Sequence, residues 1–169
     1  MNAKAIDYHD SFAELCRALE GEGAFLVVED SEGKPNPMTI GWALLGVVWG
    51  EPILSVFVRP TRHTCGLIEK AKRFSVCVPS GGMKRELQFC GSRSGRDHDK
   101  VKECGLKAAP GRTKGVSVLE DCALFFECET VHKTFVLKDT LDGAIQGRYY
   151  PSEDFHSVYF GRILKSYRK

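Results

Sequence analysis

The sequence has almost no surplus charge, no long apolar run and no paired metal-ligand cysteines, and each absence removes a class of function. Lys and Arg number 24 against 22 Asp and Glu, a formal +2. That balance excludes a strongly cationic nucleic-acid clamp but leaves room for a local basic pocket. The longest uncharged stretch, Pro35 to Gly50, is interrupted by Asn36, Thr39 and three glycines. It falls short of the roughly 18 apolar residues needed to cross a bilayer, so no membrane association is expected. Asp7 and Asp10 stand where a secretion signal needs its apolar stretch, and export is not expected. Seven cysteines, at 16, 65, 77, 90, 104, 122 and 128, form an odd set without a C-x-x-C pair. Neither a complete disulfide framework nor a zinc knuckle is indicated, no metal ligand set is proposed, and a reducing cytoplasm fits best. Ser-His-Asp, H-E-x-x-H and paired-carboxylate arrangements are missing, as are a Walker loop and a G-x-G-x-x-G turn opening a βαβ unit.

What is present suits one domain over residues 1–169, with 43% apolar and 27% charged residues, near the globular average. Ser11 and Glu14 stand at capping-box spacing before an apolar stripe of Phe12, Leu15, Cys16 and Leu19, which predicts a helix at about 10–20 ended by Gly21 and Gly23. Strand patterns follow over 24–29, 38–49 and 53–59, the last two joined by a turn at Gly50-Glu51-Pro52. Gly41 and Gly46 inside the long strand imply a bulge, a barrel corner or the close approach of something flat. Short helices are predicted over 64–74, 83–90 and 97–103, the last capped by Asp97, with strands over 75–78, 124–136 and 157–164. Many strands, few helices and no βαβ alternation predict a mainly β fold, a closed or nearly closed antiparallel barrel.

Two segments are suited to an anion. In Arg59-Pro60-Thr61-Arg62-His63-Thr64 a strand ends, proline sets a turn, and hydroxyl and guanidinium groups gather at the start of a helix, where free amide N–H groups favour phosphate. Alone, the segment is equally a plain cap at Thr64. In Gly91-Ser92-Arg93-Ser94-Gly95-Arg96-Asp97, with Lys100 one turn on, two glycines permit an N–H-lined concavity and two arginines match phosphate oxygens. Alone, it reads as a solvated Ser/Gly loop, the usual meaning of such composition. A third segment, Asn36-Pro37-Met38-Thr39-Ile40-Gly41-Trp42, offers backbone donors, an apolar wall and a glycine that lets a planar ring approach. Alone, it is a buried strand with a core tryptophan.

Taken in order, N-P-M-T-I-G-W, W-G-E-P, V-R-P-T-R-H-T, F-C-G-S-R-S-G-R-D-H-D-K and H-S-V-Y-F-G resemble the flavin reductase-like (flavoredoxin-type) family over roughly residues 25–164. The resemblance implies a homodimeric six-stranded antiparallel split β-barrel with FMN near the subunit interface. It implies that Asn36, Met38, Thr39, Ile40, Gly41 and Trp42 face the ring and ribityl chain. Arg59, Thr61, Arg62 and Thr64 would hold the phosphate. Ser94, Gly95, Arg96, Asp97 and Lys100 would complete the pocket, from the same or the partner chain, and His156 would line it. The cofactor carries the hydride chemistry in such proteins, which suits a chain without a catalytic triad. NADH or NADPH would bind transiently, and a redox protein or small molecule would accept the electrons.

Three points stay open in the sequence. The segment 133–150 matches no family feature. Cys65 and Cys90, near the two basic segments, are expected to have lowered thiol pKa values if either is redox-active. A flavin-bound electron carrier or flavin sensor shares the same pocket, and a barrel binding single-stranded nucleic acid is a more distant alternative disfavoured by the near-neutral charge. The flavin reading requires the two basic loops to share one cleft.

Overall fold

A computed structural model describes residues 3–169. Ten strands and five α-helices follow one another in the order β1 (Lys4–Ala5), α1 (Phe12–Glu20), β2 (Ala24–Glu29), β3 (Pro35–Ile40), β4 (Ala43–Val48), β5 (Glu51–Val58), α2 (His63–Ala71), β6 (Arg73–Val78), α3 (Lys84–Ser92), α4 (Lys100–Glu103), β7 (Ala108–Pro110), β8 (Ser117–Leu119), β9 (Leu124–Phe135), α5 (Gly143–Tyr149) and β10 (Ser157–Arg168). Eight strands make one sheet in the order β3-β2-β6-β9-β10-β5-β4, with β1 also paired to β10, while β7 and β8 form a separate hairpin. Every pairing is antiparallel. The sheet is not closed, and the expected split-barrel architecture holds.

The central strands are apolar on both faces because both faces are covered. Along β2, Ala24, Leu26 and Val28 enter one core with Leu54, Val56, Phe74, Phe126 and Tyr159. The alternate residues Phe25 and Val27 enter a second core with Leu87, Cys90, Val118, Phe125 and Tyr167, under α3 and the β7–β8 hairpin. Period-two alternation thus divides one strand between two cores. Each fully buried side chain of this size contributes about 2 kcal/mol of transfer free energy.

The long strand expected over 38–49 is two strands. It breaks at Gly41-Trp42, and its halves lie at opposite ends of the sheet order, so this dipeptide is the barrel corner that the glycine pattern allowed. The following hairpin turns at Trp49-Gly50, with φ of 56° and 72°, and not at Gly50-Glu51-Pro52. Positive φ at both positions is the twist-compatible geometry for a two-residue hairpin.

Helix α1 lies where expected, but its capping box does not form: the Ser11 side chain makes no cap hydrogen bond, because Asp7 starts a 3₁₀ turn over Tyr8–Ser11 that leads into the helix. Arg62, not Thr64, is the N-cap of α2. Helix α3 continues through Ser92, into the segment read as loop. Asp99, not Asp97, caps α4 by accepting from the Lys102 N–H. The segment 133–150 completes β9 and then forms α5, capped by Asp142. No helix among the described residues is long and apolar enough to cross a membrane.

Candidate functional site

The first basic segment is the strand–turn–helix link between β5 and α2. Its turn closes by Arg62 N–H donating to the Arg59 carbonyl at 3.0 Å. The second follows α3, where the Asp97 and His98 N–H groups both donate to the Ser94 carbonyl and Arg96 N–H donates to Ser94 Oγ. Side chains tie the two together within one chain. Arg62 Nη1 donates to the Gly91 carbonyl at 2.9 Å, and Arg96 Nη1 reaches the Thr61 carbonyl at 3.4 Å. Gly95 packs directly on Asn36, whose Nδ2 donates to Thr64 Oγ1 at 2.9 Å.

Between the loops lies a cavity of about 260 Å³ with five cationic side chains, Arg59, Arg62, Arg93, Arg96 and Lys100, against the single carboxylate of Asp154. Thr61, Thr64, Ser94, Gly95 and Met38 also line it. Lys100 is buried, donates to the Cys90 carbonyl at 3.2 Å, and is pushed below its ordinary pKa by burial and then by Arg62. Burial, followed by the charges of Arg96 and Lys100, also lowers the His63 pKa and favours its neutral form. Such a concentration of donors and charge favours an anion.

A second cavity, of about 190 Å³, is lined by Met38, Thr39, Ile40, Gly41, Trp42, Phe57, Arg59, Arg62 and His156. Met38, Arg59 and Arg62 belong to both cavities, so a cationic compartment opens onto an aromatic one. Trp42 is the centre of the aromatic wall, with ring centroids 4.6 Å from His156, 5.3 Å from Tyr149 and 6.3 Å from Phe57. Burial, followed by the charges of Arg59 and Arg62 against a partial offset from Asp154, holds the His156 pKa down at about 4. The imidazole is therefore neutral near pH 7.

Of the residues singled out in the sequence, fourteen line one or both cavities: Met38, Thr39, Ile40, Gly41, Trp42, Arg59, Thr61, Arg62, Thr64, Ser94, Gly95, Arg96, Lys100 and His156. Asn36 stands behind them as a support for Thr64 and Gly95. Asp97 lines neither cavity, because the Ser94-centred turn orients its backbone and leaves its carboxylate outside. Arg59 has already used two donors: Nη1 donates to the Asp154 carbonyl at 2.7 Å and Nη2 to the Tyr149 carbonyl at 2.8 Å. Its first role is to fasten the segment before β10 over the site.

The cysteine expectation fails for Cys90, since burial pushes its thiol up to about 12. Cys65 is buried, with Sγ 3.2 Å from the Tyr159 hydroxyl. Sequence reading missed Phe57, Tyr150 and Asp154. Thr61 Oγ1 donates to Asp154 Oδ2 at 2.7 Å across 93 positions of chain, a pairing that no local pattern signals.

The flavin reductase-like domain family matches residues 19–167. The chain belongs to this family. A flavoredoxin of Desulfovibrio vulgaris (Miyazaki F) superposes with a TM-score of 0.69 at 19% identity, over 86% of this chain and 68% of that one. An FMN-binding protein of Thermus thermophilus, solved with bound p-hydroxybenzaldehyde, gives 0.67 at 26% identity over 86% and 70%. An uncharacterized protein of Archaeoglobus fulgidus is 27% identical over 107 residues, which make up 63% of this chain and only 59% of that relative. These similarities agree with the split-barrel architecture.

Proposed function

We propose that this flavin reductase-like protein binds FMN, with the phosphate in the cationic cavity and the isoalloxazine ring in the aromatic one. It would pass reducing equivalents from NADH or NADPH to the flavin, or through bound FMN to an acceptor. The observation that carries this reading is the joining of the two cavities at Met38, Arg59 and Arg62. The donor set suits a phosphate monoester: Arg62 and Arg96 supply planar guanidinium groups, and Thr61 and Ser94 supply hydroxyls. Gly41, at the break between β3 and β4, has only the Leu19 carbonyl oxygen, at 4.0 Å, near where a Cβ would stand among the described residues, so the chain there is open to the approach of a flat ring. When bound, FMN supplies the hydride and electron chemistry.

The chain's own residues bind and orient. Arg62 and Arg96 fix the charged end, Met38 to Trp42 form the wall beside the ring, and Arg59 fastens the 149–154 segment beside it. The proposed assembly is a homodimer that completes the open side of the site. It is supported by Leu44 at 64% exposure and Val47 at 62% on the terminal strand β4, because an apolar edge strand invites pairing with another chain.

The test is a visible spectrum of the purified protein, or an FMN titration followed by tryptophan fluorescence if it is colourless. Bound oxidised flavin gives bands near roughly 370 and 450 nm. NADH or NADPH oxidation with added FMN then separates a reductase from a carrier. A carrier leaves the nicotinamide untouched yet delivers electrons from chemically reduced bound flavin to a redox protein. Failure to bind FMN under either measurement would overturn the proposal.

A further inference from the structure

The segment that sequence reading could not place supplies a residue behind the aromatic cavity. Tyr150 follows α5 and is only 3% exposed. Its ring is gripped by Phe155, stacked at 4.7 Å, by Trp42 edge-on at 6.2 Å, and by the Arg59 guanidinium 5.1 Å from its centroid. Its hydroxyl lies 2.8 Å from His156 Nδ1.

Hydrogen-bond inventory decides the direction of that contact. A neutral imidazole has one N–H and one bare nitrogen, while a phenol has one O–H to donate. The Tyr150 hydroxyl has no other side-chain or backbone acceptor among the described residues. If His156 Nδ1 carried the proton, the buried phenol O–H would be left without an acceptor, an arrangement that native structures avoid. The O–H therefore donates, Nδ1 is bare, and the imidazole proton resides on Nε2. That nitrogen has no protein partner among the described residues, is absent from the fully buried unpaired atoms, and belongs to a side chain lining the aromatic cavity.

We infer that Tyr150 is a positioning residue that fixes His156 as its Nε2–H tautomer, so that a neutral N–H donor faces the cavity and meets a carbonyl acceptor on a planar amide-bearing ring. Two rings share that chemistry, the flavin dione and a nicotinamide carboxamide. The ligand part of the inference rests on the flavin reading above; the tautomer does not.

The experiment uses full-length flavin-free protein carrying ¹⁵N-labelled histidine, with imidazole nitrogens observed by long-range ¹H–¹⁵N correlation near pH 7. The His156 signals, assigned by their loss in His156→Gln, should show a protonated Nε2 and a bare Nδ1. Tyr150→Phe keeps the ring and its packing, and should mix the tautomers. A protonated Nδ1 in the wild type, or an unchanged single tautomer in Tyr150→Phe, would overturn the inference. For the ligand, His156→Gln places an amide N–H near the Nε2 position and should retain function better than His156→Asn. Tyr150→Phe should weaken binding roughly three- to tenfold, the share of one neutral hydrogen bond. A higher FMN Kd assigns the acceptor to flavin, and a higher KM for NADH or NADPH assigns it to nicotinamide. No change in either removes the ligand contact. Wild-type protein that shows the Nε2–H signature but never binds FMN would overturn the proposed function and leave Tyr150's positioning of His156 standing.

Discussion

A Cβ placed on Gly95 would fall 1.9 Å from Asn36 Oδ1, so the second basic loop reaches its position only because residue 95 has no side chain. Asn36 cannot simply withdraw, since it also donates to Thr64 Oγ1 at 2.9 Å. Gly95→Ala should lift the loop and separate Arg96 from Arg62. We expect FMN affinity to fall about tenfold, the scale of one lost charge-assisted contact. Adding Asn36→Ala should recover part of that loss by making room. A fluorescence titration of the single and double variants checks this; unaltered affinity in Gly95→Ala would show that the loop position does not matter.

The arginines should divide by what their donors already hold. Arg62 commits one donor to the Gly91 carbonyl and Arg96 one, at 3.4 Å, to the Thr61 carbonyl, which leaves donors for a phosphate. Arg62→Ala and Arg96→Ala should each weaken FMN about tenfold while riboflavin changes about twofold or less. Arg59 instead holds the carbonyls of Tyr149 and Asp154. Arg59→Ala should loosen the 149–154 segment and affect FMN and riboflavin alike. Parallel titrations with both ligands separate the two behaviours, and equal losses for all three arginines would mean the phosphate is misplaced.

These contrasts also show what the sequence made legible. Strand β2 was readable to the residue because both its faces are apolar and Gly21 and Gly23 precede it, and the two basic loops were readable as clusters of cationic and hydroxyl donors because those groups are local in sequence. The break at Gly41-Trp42 was visible as a weak point, but not as the passage between opposite ends of the sheet, which depends on long-range pairing. Asp97 lies outside the cavities that its neighbours line, a placement that goes with the backbone turn around Ser94 and not with residue type. Asp154 was unreadable because its partners, Arg59 and Thr61, lie more than ninety positions away in the chain, and Tyr150 because Arg59 and Trp42, which hold its ring against the site, lie as far off.

Stability should depend on pH through His156. Its folded pKa is about 4 against an ordinary 6.5, chiefly because burial opposes the charged form. Between those values the unfolded chain takes up a proton that the folded chain refuses, so stability falls as pH drops from about 6.5 toward 4. The contribution is at most about 3 kcal/mol, set by the size of the shift. His156→Gln removes the titrating group and should flatten this part of the stability profile relative to wild type. Urea unfolding at pH 7, 6, 5 and 4.5 for both proteins measures the difference, and parallel profiles would contradict the buried neutral imidazole.

A carboxylate on the far side of the sheet should matter to the fold and not to the site. Glu127 on β9 is fully buried and accepts from the Tyr167 hydroxyl at 2.6 Å and from the N–H groups of Arg112 and Thr113 at 2.7 and 2.6 Å. It thereby ties the β7–β8 connection to β10, and Arg112 covers the Tyr167 ring at 4.1 Å. Glu127→Ala strands three donors at once and should cost about 3 kcal/mol or more. Glu127→Gln keeps the shape but turns amide N–H groups toward other donors, so it should also destabilise, whereas Tyr167→Phe removes a single donor and should cost about 1 kcal/mol. Urea midpoints give this ranking directly. Because none of these residues lines the joined cavities, FMN affinity measured on the folded variants should stay near wild type; a large loss would mean that the two cores are coupled through β9 and the site is not locally determined.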